Sequence, residues 1–185
     1  MNKKIFILLF VCLVVIVFSC GKDNPLTQAQ TKQAAVVTDK GTISKKGAIQ
    51  ISGVSFFDGT DACNSGGQGA AYALNMTGDL VGCWYTYVDE FSCSPSGTYR
   101  EVGREYFVGT YKGQAGTFRT TYKFEAKYEG CAANGSYIGA EIKGRCQHPI
   151  VEGSGTGFFE GVKGWGAFKD DIEAGNYPYR GHFSF

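Results

Sequence analysis

The sequence is poor in the residues that several folds and functions require. Leucine occurs at only three positions after residue 20, namely Leu26, Leu74 and Leu80, whereas a helical domain depends on leucine-rich faces, so an all-α fold is excluded. Lysine and arginine number 18 against 17 acidic residues, and no basic surplus indicates a nucleic-acid partner. The chain has two histidines and no C-x-x-C spacing. We therefore predict neither a metal site nor a cofactor.

Glycine and aromatic residues are abundant instead. Glycine accounts for 27 of 185 residues and aromatic residues for 15% of the chain. A chain of this length holds one domain of ordinary size. The composition thus favours a single all-β domain with many tight turns.

The longest apolar run lies near the N-terminus. It comprises 14 residues, 5 to 18, preceded by Lys3 and Lys4, which is the layout of an export signal. It is too short for the roughly 20 residues of a transmembrane helix. The following Cys20 completes a segment, Val17-Phe18-Ser19-Cys20, that resembles the bacterial lipobox. This resemblance implies a lipoprotein signal peptide over residues 1–19 and a lipidated Cys20, the alternative being an ordinary cleaved signal.

Residues 20–47 are polar and show no sustained period. We interpret them as a flexible tether, whose reach would be on the order of 25 to 30 Å. Gly21, directly after the lipidation site, resembles the corresponding residue of lipoproteins sent to the outer membrane. The predicted localisation is the bacterial cell envelope, with the membrane as a partner through the lipid anchor and the outer membrane as its site.

From residue 48 to 185, short runs rich in β-branched and aromatic residues alternate with turn residues. In the clearest run, Phe118 to Tyr128, apolar and charged residues alternate with a period of two. Eight strands are predicted, at 49–57, 71–76, 80–88, 98–108, 116–128, 137–146, 164–168 and 177–185. Because open edges of such a sheet would be sticky, we predict an eight-stranded antiparallel closed β-barrel, with a two-sheet sandwich as the alternative.

The same alternation predicts which side chains fill the barrel. The inward positions are Phe118, Tyr122, Phe124, Ile138, Ala140, Ile142, Tyr179 and Phe183. Side chains of this size would nearly fill an eight-stranded barrel, so we expect a narrow, apolar lumen open at one end. The inward faces that we can read offer tyrosine hydroxyls and no acid.

The glycine-rich segment from Gly155 to Gly164 reads G-x-G-x-F-x-G-x-x-G and precedes a strand. It resembles a segment of allene oxide cyclases and plant dirigent proteins, which build eight-stranded barrels around an apolar cavity. Further segments resemble bacterial domains described as allene-oxide-cyclase barrel-like, and they lie at 82–86, 97–101, 116–122, 144–150 and 169–182. The resemblance covers about residues 48–185. No catalytic residue of the plant enzymes falls on a matching position.

Five cysteines remain beyond the leader and the lipidation site, in a compartment where disulfides form. Because Cys83 and Cys146 both lie in segments that carry the resemblance, we predict a disulfide between them. Cys93 is expected to pair with either Cys63 or Cys131.

We expect the barrel to bind a small apolar ligand rather than to catalyse a reaction. The alternatives are a cyclase or isomerase acting on a fatty-acid-derived substrate, and a non-catalytic adhesion or structural module. Candidate ligand-contacting residues are Trp84, Phe118, Tyr122, Phe124, Ile142, Tyr179 and Phe183. We predict no catalytic residue: Cys146 and His148 are close in sequence, but an inward cysteine in an exported barrel is more often structural than nucleophilic.

Overall fold

The computed structural model describes residues 47–59, 62–63 and 67–185. The predicted signal peptide, Cys20 and all of the predicted tether except Gly47 lie outside the described residues. Nine strands and no helix are present in the described part. The strands are β1 (Ile49–Phe57), β2 (Tyr72–Gly78), β3 (Leu80–Cys93), β4 (Thr98–Tyr111), β5 (Gln114–Cys131), β6 (Tyr137–Pro149), β7 (Thr156–Gly157), β8 (Lys163–Lys169) and β9 (Tyr177–Ser184).

Eight of these strands close into an antiparallel barrel. Around the barrel the order is β4-β3-β2-β1-β9-β8-β6-β5, and β5 pairs back with β4. The first and last strands close the ring, since Ile49 lies opposite Phe183 and Ser55 opposite Tyr177. This confirms the predicted fold class and all eight predicted strands. The two-residue β7, which adds to β5 at Gly116 and Thr117, was not predicted.

At one end of the barrel, which we call the lower half, aromatic side chains fill the interior. Phe107, Phe118, Phe159 and Phe183 are fully buried there, and the Phe107 and Phe118 rings lie 5.0 Å apart between centroids. Trp84 lies above them, 5.5 Å from Phe118 and edge-on to it. Each buried aromatic side chain of this kind stabilises the fold by about 1.5–3 kcal/mol.

The glycine-rich segment closes the lower end as a plug. It pairs briefly with β5 through β7 and turns Phe159 into the core, while the Phe158 ring stacks on Tyr111 at 5.2 Å. The segment is therefore structural, and its consecutive residues Phe158 and Phe159 are both buried.

The two disulfides differ from the predicted pairing in one case. Cys93 joins Cys131, one of the two expected alternatives, and ties the upper ends of β3 and β5 across β4. The predicted Cys83–Cys146 bridge is wrong, because Cys83 is bonded to Cys63 and Cys146 is a buried free thiol. The two residues lie on non-adjacent strands and on opposite faces: Cys83 points out of the barrel beside inward Trp84, whereas Cys146 points in.

The prediction for the first half of β6 is also wrong. Ile138 and Ile142 are 52% and 57% exposed, and Ala140 is exposed as well. The pairing with β5 is irregular here, since Lys127 lies opposite Lys143 but the next residue, Tyr128, lies opposite Glu141. This β-bulge inserts Ile142 and reverses the alternation, so that Glu141 occupies the inner face.

Candidate functional site

The upper half of the barrel contains a cavity of about 620 Å³ that opens to solvent. Its walls come from all eight barrel strands and from Ala71 just before β2. Aromatic rings from seven strands line it, namely Phe57, Tyr72, Tyr99, Phe124, Tyr128, Tyr137, Phe168 and Tyr177. The predicted narrow lumen is therefore wrong for the upper half, because the rings stand around the cavity instead of crossing it.

A buried carboxyl group lies at the bottom of this cavity. Glu105 on β4 is 3% exposed and accepts three hydrogen bonds: from Thr120 at 2.6 Å, from Thr86 at 3.3 Å and from His148 Nδ1 at 2.6 Å. Strand register produces this arrangement, since Thr86 and Thr120 lie directly opposite Glu105 on the two neighbouring strands. Because a carboxylate only accepts, His148 Nδ1 carries the proton of the shared hydrogen bond.

A second buried carboxyl group, that of Glu101, lies on the same face of β4, two inward positions above Glu105 with Gly103 between them. Tyr99 donates to one oxygen of Glu101 at 2.6 Å and Tyr122 donates to the other at 2.7 Å. Burial first, and then the hydrogen bond to Glu101, raises the pKa of both phenols, which keeps them protonated as donors. With a phenol donating to each oxygen, the Glu101 side chain is held in place by two neutral partners.

Two further carboxyl groups meet near the mouth. A Cβ at Gly144 would come into contact with Asp170 Oδ2 and with Glu141 Oε1, so the two oxygens converge on that glycine. Burial, followed by the hydrogen bond and charge of Asp170, raises the pKa of Glu141 to about 8, and burial raises the pKa of Asp170 as well. Two carboxyl groups at this separation share a proton, because both cannot be ionised cheaply.

Two buried polar atoms of the cavity walls have no hydrogen-bond partner. They are Glu141 Oε1 and His148 Nε2, and the His148 side chain is only 5% exposed. The His148 ring is fixed between Trp84 and Phe168, with centroids at 5.5 and 4.4 Å. Buried polar atoms normally have partners, so these two are the positions at which a bound molecule would supply them.

The candidate ligand-contacting residues are distributed differently from the prediction. Of the seven, Phe124 lines the cavity. Trp84, Phe118, Tyr179 and Phe183 belong to the packed core, Tyr122 is buried behind Glu101, and Ile142 is exposed. Cys146 lines the cavity as a free thiol, and burial raises its pKa, so it is a poor nucleophile.

The carboxyl groups are what the sequence reasoning missed. Tyr99, Glu101, Gly103, Glu105 and Phe107 lie along one face of β4, and all five are buried. Tyr99 and Phe107 on that face were a readable signal that Glu101 and Glu105 point inward. Glu141 had no such signal, because its orientation depends on the bulge.

No family model, curated protein or solved structure matches this chain. Within the described residues, His, Cys, Asp and Glu side chains form no group of three or more arranged to hold a metal ion. Nor does any helix in the described part have the length and hydrophobicity needed to traverse a bilayer. The chemistry of the site is therefore derived from the cavity itself.

Proposed function

We propose that this protein is a lipid-anchored barrel protein of the bacterial cell envelope that binds a small molecule with a hydrophobic body in its upper lumen. The observation that carries this proposal is the cavity of about 620 Å³ above a solid core. Ligand pockets span roughly 300–1,000 Å³ and are lined mainly by apolar and aromatic groups with a few fixed polar ones. The lumen has this composition. A purely structural or adhesive module has no need of an open, polar-floored lumen.

The anchor and the family are parts of the same proposal. They are supported by the lipobox-like Val17 to Cys20 and by the segments that resemble allene-oxide-cyclase barrel-like domains. The chain enters the barrel at Ile49, opposite Phe183, which packs against Phe159 of the plug. Ile49 therefore lies at the plugged end of the barrel.

The proposal is tested by binding of phenylbutanol, an uncharged ligand with an aromatic body. The full chain is held in phosphatidylcholine nanodiscs, and heats of binding are corrected with empty nanodiscs. We expect saturable binding that is lost in Val88→Phe, whose side chain lines the cavity. Val81→Phe, on the outer face of the same strand, is the matched control and keeps the binding. Equal binding by both variants would place the ligand outside the lumen.

A cyclase or isomerase is the second candidate, and the Glu105–His148 pair favours it. The carboxylate orients the imidazole through Nδ1 and leaves Nε2 for a substrate, which is the arrangement of a general acid or base. We expect such a site to exchange the α-protons of benzylacetone for deuterium in heavy water. NMR of the ketone measures this exchange. A rate that is unchanged in His148→Gln would exclude the pair as its cause.

A further inference from the structure

The walls of the upper lumen carry a marked excess of negative charge. Among the described residues that line it are four carboxyl groups, from Glu101, Glu105, Glu141 and Asp170, and neither lysine nor arginine. His148 is the one basic side chain in this set, and it is engaged by Glu105 at 2.6 Å. Glu141 and Asp170 share one proton and carry one negative charge between them, and neither this pair nor Glu101 has a cationic partner among the lining residues. A buried carboxylate without a cation is costly, so the cavity favours a ligand that supplies one.

Glu101 gives this excess a fixed position. Both of its oxygens accept hydrogen bonds from phenols, which hold the carboxylate in place without neutralising it. It is buried beside the cavity, where the interaction between charges is weakly screened. A positive group entering the lumen would therefore find a preorganised carboxylate at mid-depth.

The aromatic rings complete the environment. Tyr128 and Tyr137 stack at 4.0 Å between centroids, and Phe57 contacts Tyr72 at 5.4 Å and Tyr177 at 5.5 Å, so the rings form two clusters in the cavity wall. The face of an aromatic ring is negative and attracts ammonium groups. The same rings accommodate a hydrophobic body. Aromatic faces and carboxylates together are the surroundings that stabilise an organic ammonium ion.

The unpartnered atoms indicate a cation that carries N–H groups. Glu141 Oε1 faces the Asp170 carboxyl group and has no further donor among the described residues, and His148 Nε2 is an acceptor when Nδ1 holds the proton of a neutral ring. A protonated amine has N–H donors for such atoms, whereas a quaternary ammonium has none. A fatty acid has only a carboxylate to offer and would meet repulsion.

We propose that the lumen binds a protonated organic amine with a hydrophobic body, with its ammonium group between Glu101 and Glu141. This inference rests on the proposed ligand-binding function and names the chemical class of the ligand. It replaces the simple apolar ligand that the sequence favoured.

Three ligands with the same body test it: phenylbutylamine, phenylbutanol and phenylbutyrate, titrated into the full chain in phosphatidylcholine nanodiscs at neutral pH. We expect the amine to bind at least about tenfold more tightly than the alcohol, which corresponds to one charge-assisted hydrogen bond, and the carboxylate to bind most weakly. Glu101→Gln and the double variant Glu141→Gln/Asp170→Asn should each reduce the preference for the amine while leaving the affinity for the alcohol within about twofold. Glu125→Gln, on the outer face, should leave the preference unchanged.

The outcomes separate the two proposals. If the alcohol binds and the amine binds no more tightly, the amine inference is wrong and the ligand-binding function stands. If the preference for the amine persists in both Glu101→Gln and the Glu141→Gln/Asp170→Asn variant, the lumen carboxylates do not cause it and the inference is wrong. If none of the three ligands binds, the ligand-binding function fails and the inference fails with it. Because the two variants lie at different depths, loss of the fold in one leaves the other to decide.

Discussion

Glu105 is the residue in the lumen whose carboxyl group accepts the most hydrogen bonds. In Glu105→Gln the charge is lost, and an amide nitrogen faces donors from Thr86, Thr120 or His148. Since breaking a buried hydrogen-bonded pair costs about 3–5 kcal/mol, we expect the free energy of unfolding to fall by about 3 kcal/mol. Urea denaturation measures the change.

The matched control for this prediction is Glu125→Gln. Glu125 bridges Arg100 at 3.1 Å and Arg145 at 3.3 Å on the exposed outer face. Exposed pairs of this kind contribute about 0–1 kcal/mol. A loss in Glu105→Gln no greater than in Glu125→Gln would mean that the buried pair contributes little to stability.

Glu141 makes the stability of the barrel depend on pH. Its pKa is about 8 in the fold against an ordinary value of 4.5, so the folded chain binds a proton that the unfolded chain releases. The stabilisation is fully present below about pH 4.5 and is lost as the pH rises through about 8. Because solvent at the open mouth screens this carboxyl group, we expect the pH-dependent change in the free energy of unfolding to be roughly 1 kcal/mol, or about 2–4 °C in Tm.

Thermal unfolding between about pH 5 and pH 9 tests this dependence. We expect the Tm of the wild type to decrease across this range, and the decrease to be smaller in Glu141→Gln, which stays neutral. Glu152→Gln is the control, because Glu152 is exposed and Lys163 lowers its pKa. Parallel pH profiles for the wild type and Glu141→Gln would show that Glu141 is ionised in the fold.

At the scale of elements, the plug depends on close approach of its own backbone. A Cβ at Gly155 would collide with the carbonyl group of Phe159, whereas a Cβ at Gly161 would meet nothing within 4 Å. Gly155→Ala should therefore displace Phe159 from the core and cost about 3 kcal/mol or more. Gly161→Ala, which has a positive φ of 78°, should cost only about 1–2 kcal/mol of backbone strain. Guanidinium denaturation compares the two, and equal losses would show that the plug adjusts its backbone freely.

The strands differ in how completely their sequences determine their faces. In β5 the inward positions Phe118, Thr120 and Tyr122 follow one another without interruption. The predicted inner face of this strand is confirmed from Phe118 as far as Phe124. In β6 the same rule fails above Gly144, because the bulge at Ile142 arises from pairing with β5. A bulge depends on the partner strand, so a pattern within one strand does not contain it.

At the scale of the whole molecule, the barrel divides into a lower half with a packed core and an upper half with the cavity. The lower half buries Phe107, Phe118, Phe159 and Phe183, while the upper half contains the carboxyl groups and the cavity. The Cys93–Cys131 disulfide joins β3 and β5 at the upper end of the barrel, where the hydrophobic core is smallest. The packed lower half thus holds the strands of the upper half in position, since the upper half buries fewer apolar side chains.

Attachment to the membrane is a prediction about the whole chain, and Cys20→Ser tests it. Without a thiol to acylate, the protein should be soluble or keep its signal peptide, because stable anchoring requires acyl chains. Fractionation and mass spectrometry of the N-terminus measure both properties. If the variant fractionates with membranes and has a processed N-terminus like the wild type, Cys20 is not the anchor.

Local patterns in the sequence predict the class of fold, the number and position of the barrel strands, and the aromatic residues of the core, because a period of two and turn residues are local properties. The cysteine partners, the face of Glu141 and the open upper lumen depend on contacts between distant segments. Cys63, which follows β1 in the sequence, is bonded to Cys83 on the outside of β3, and no local pattern specifies this contact. The four carboxyl groups form one site because barrel closure brings β4, β6 and β8 around the same cavity. Convergence of distant strands is a property of the closed barrel, so the chemistry of the site became visible only in three dimensions.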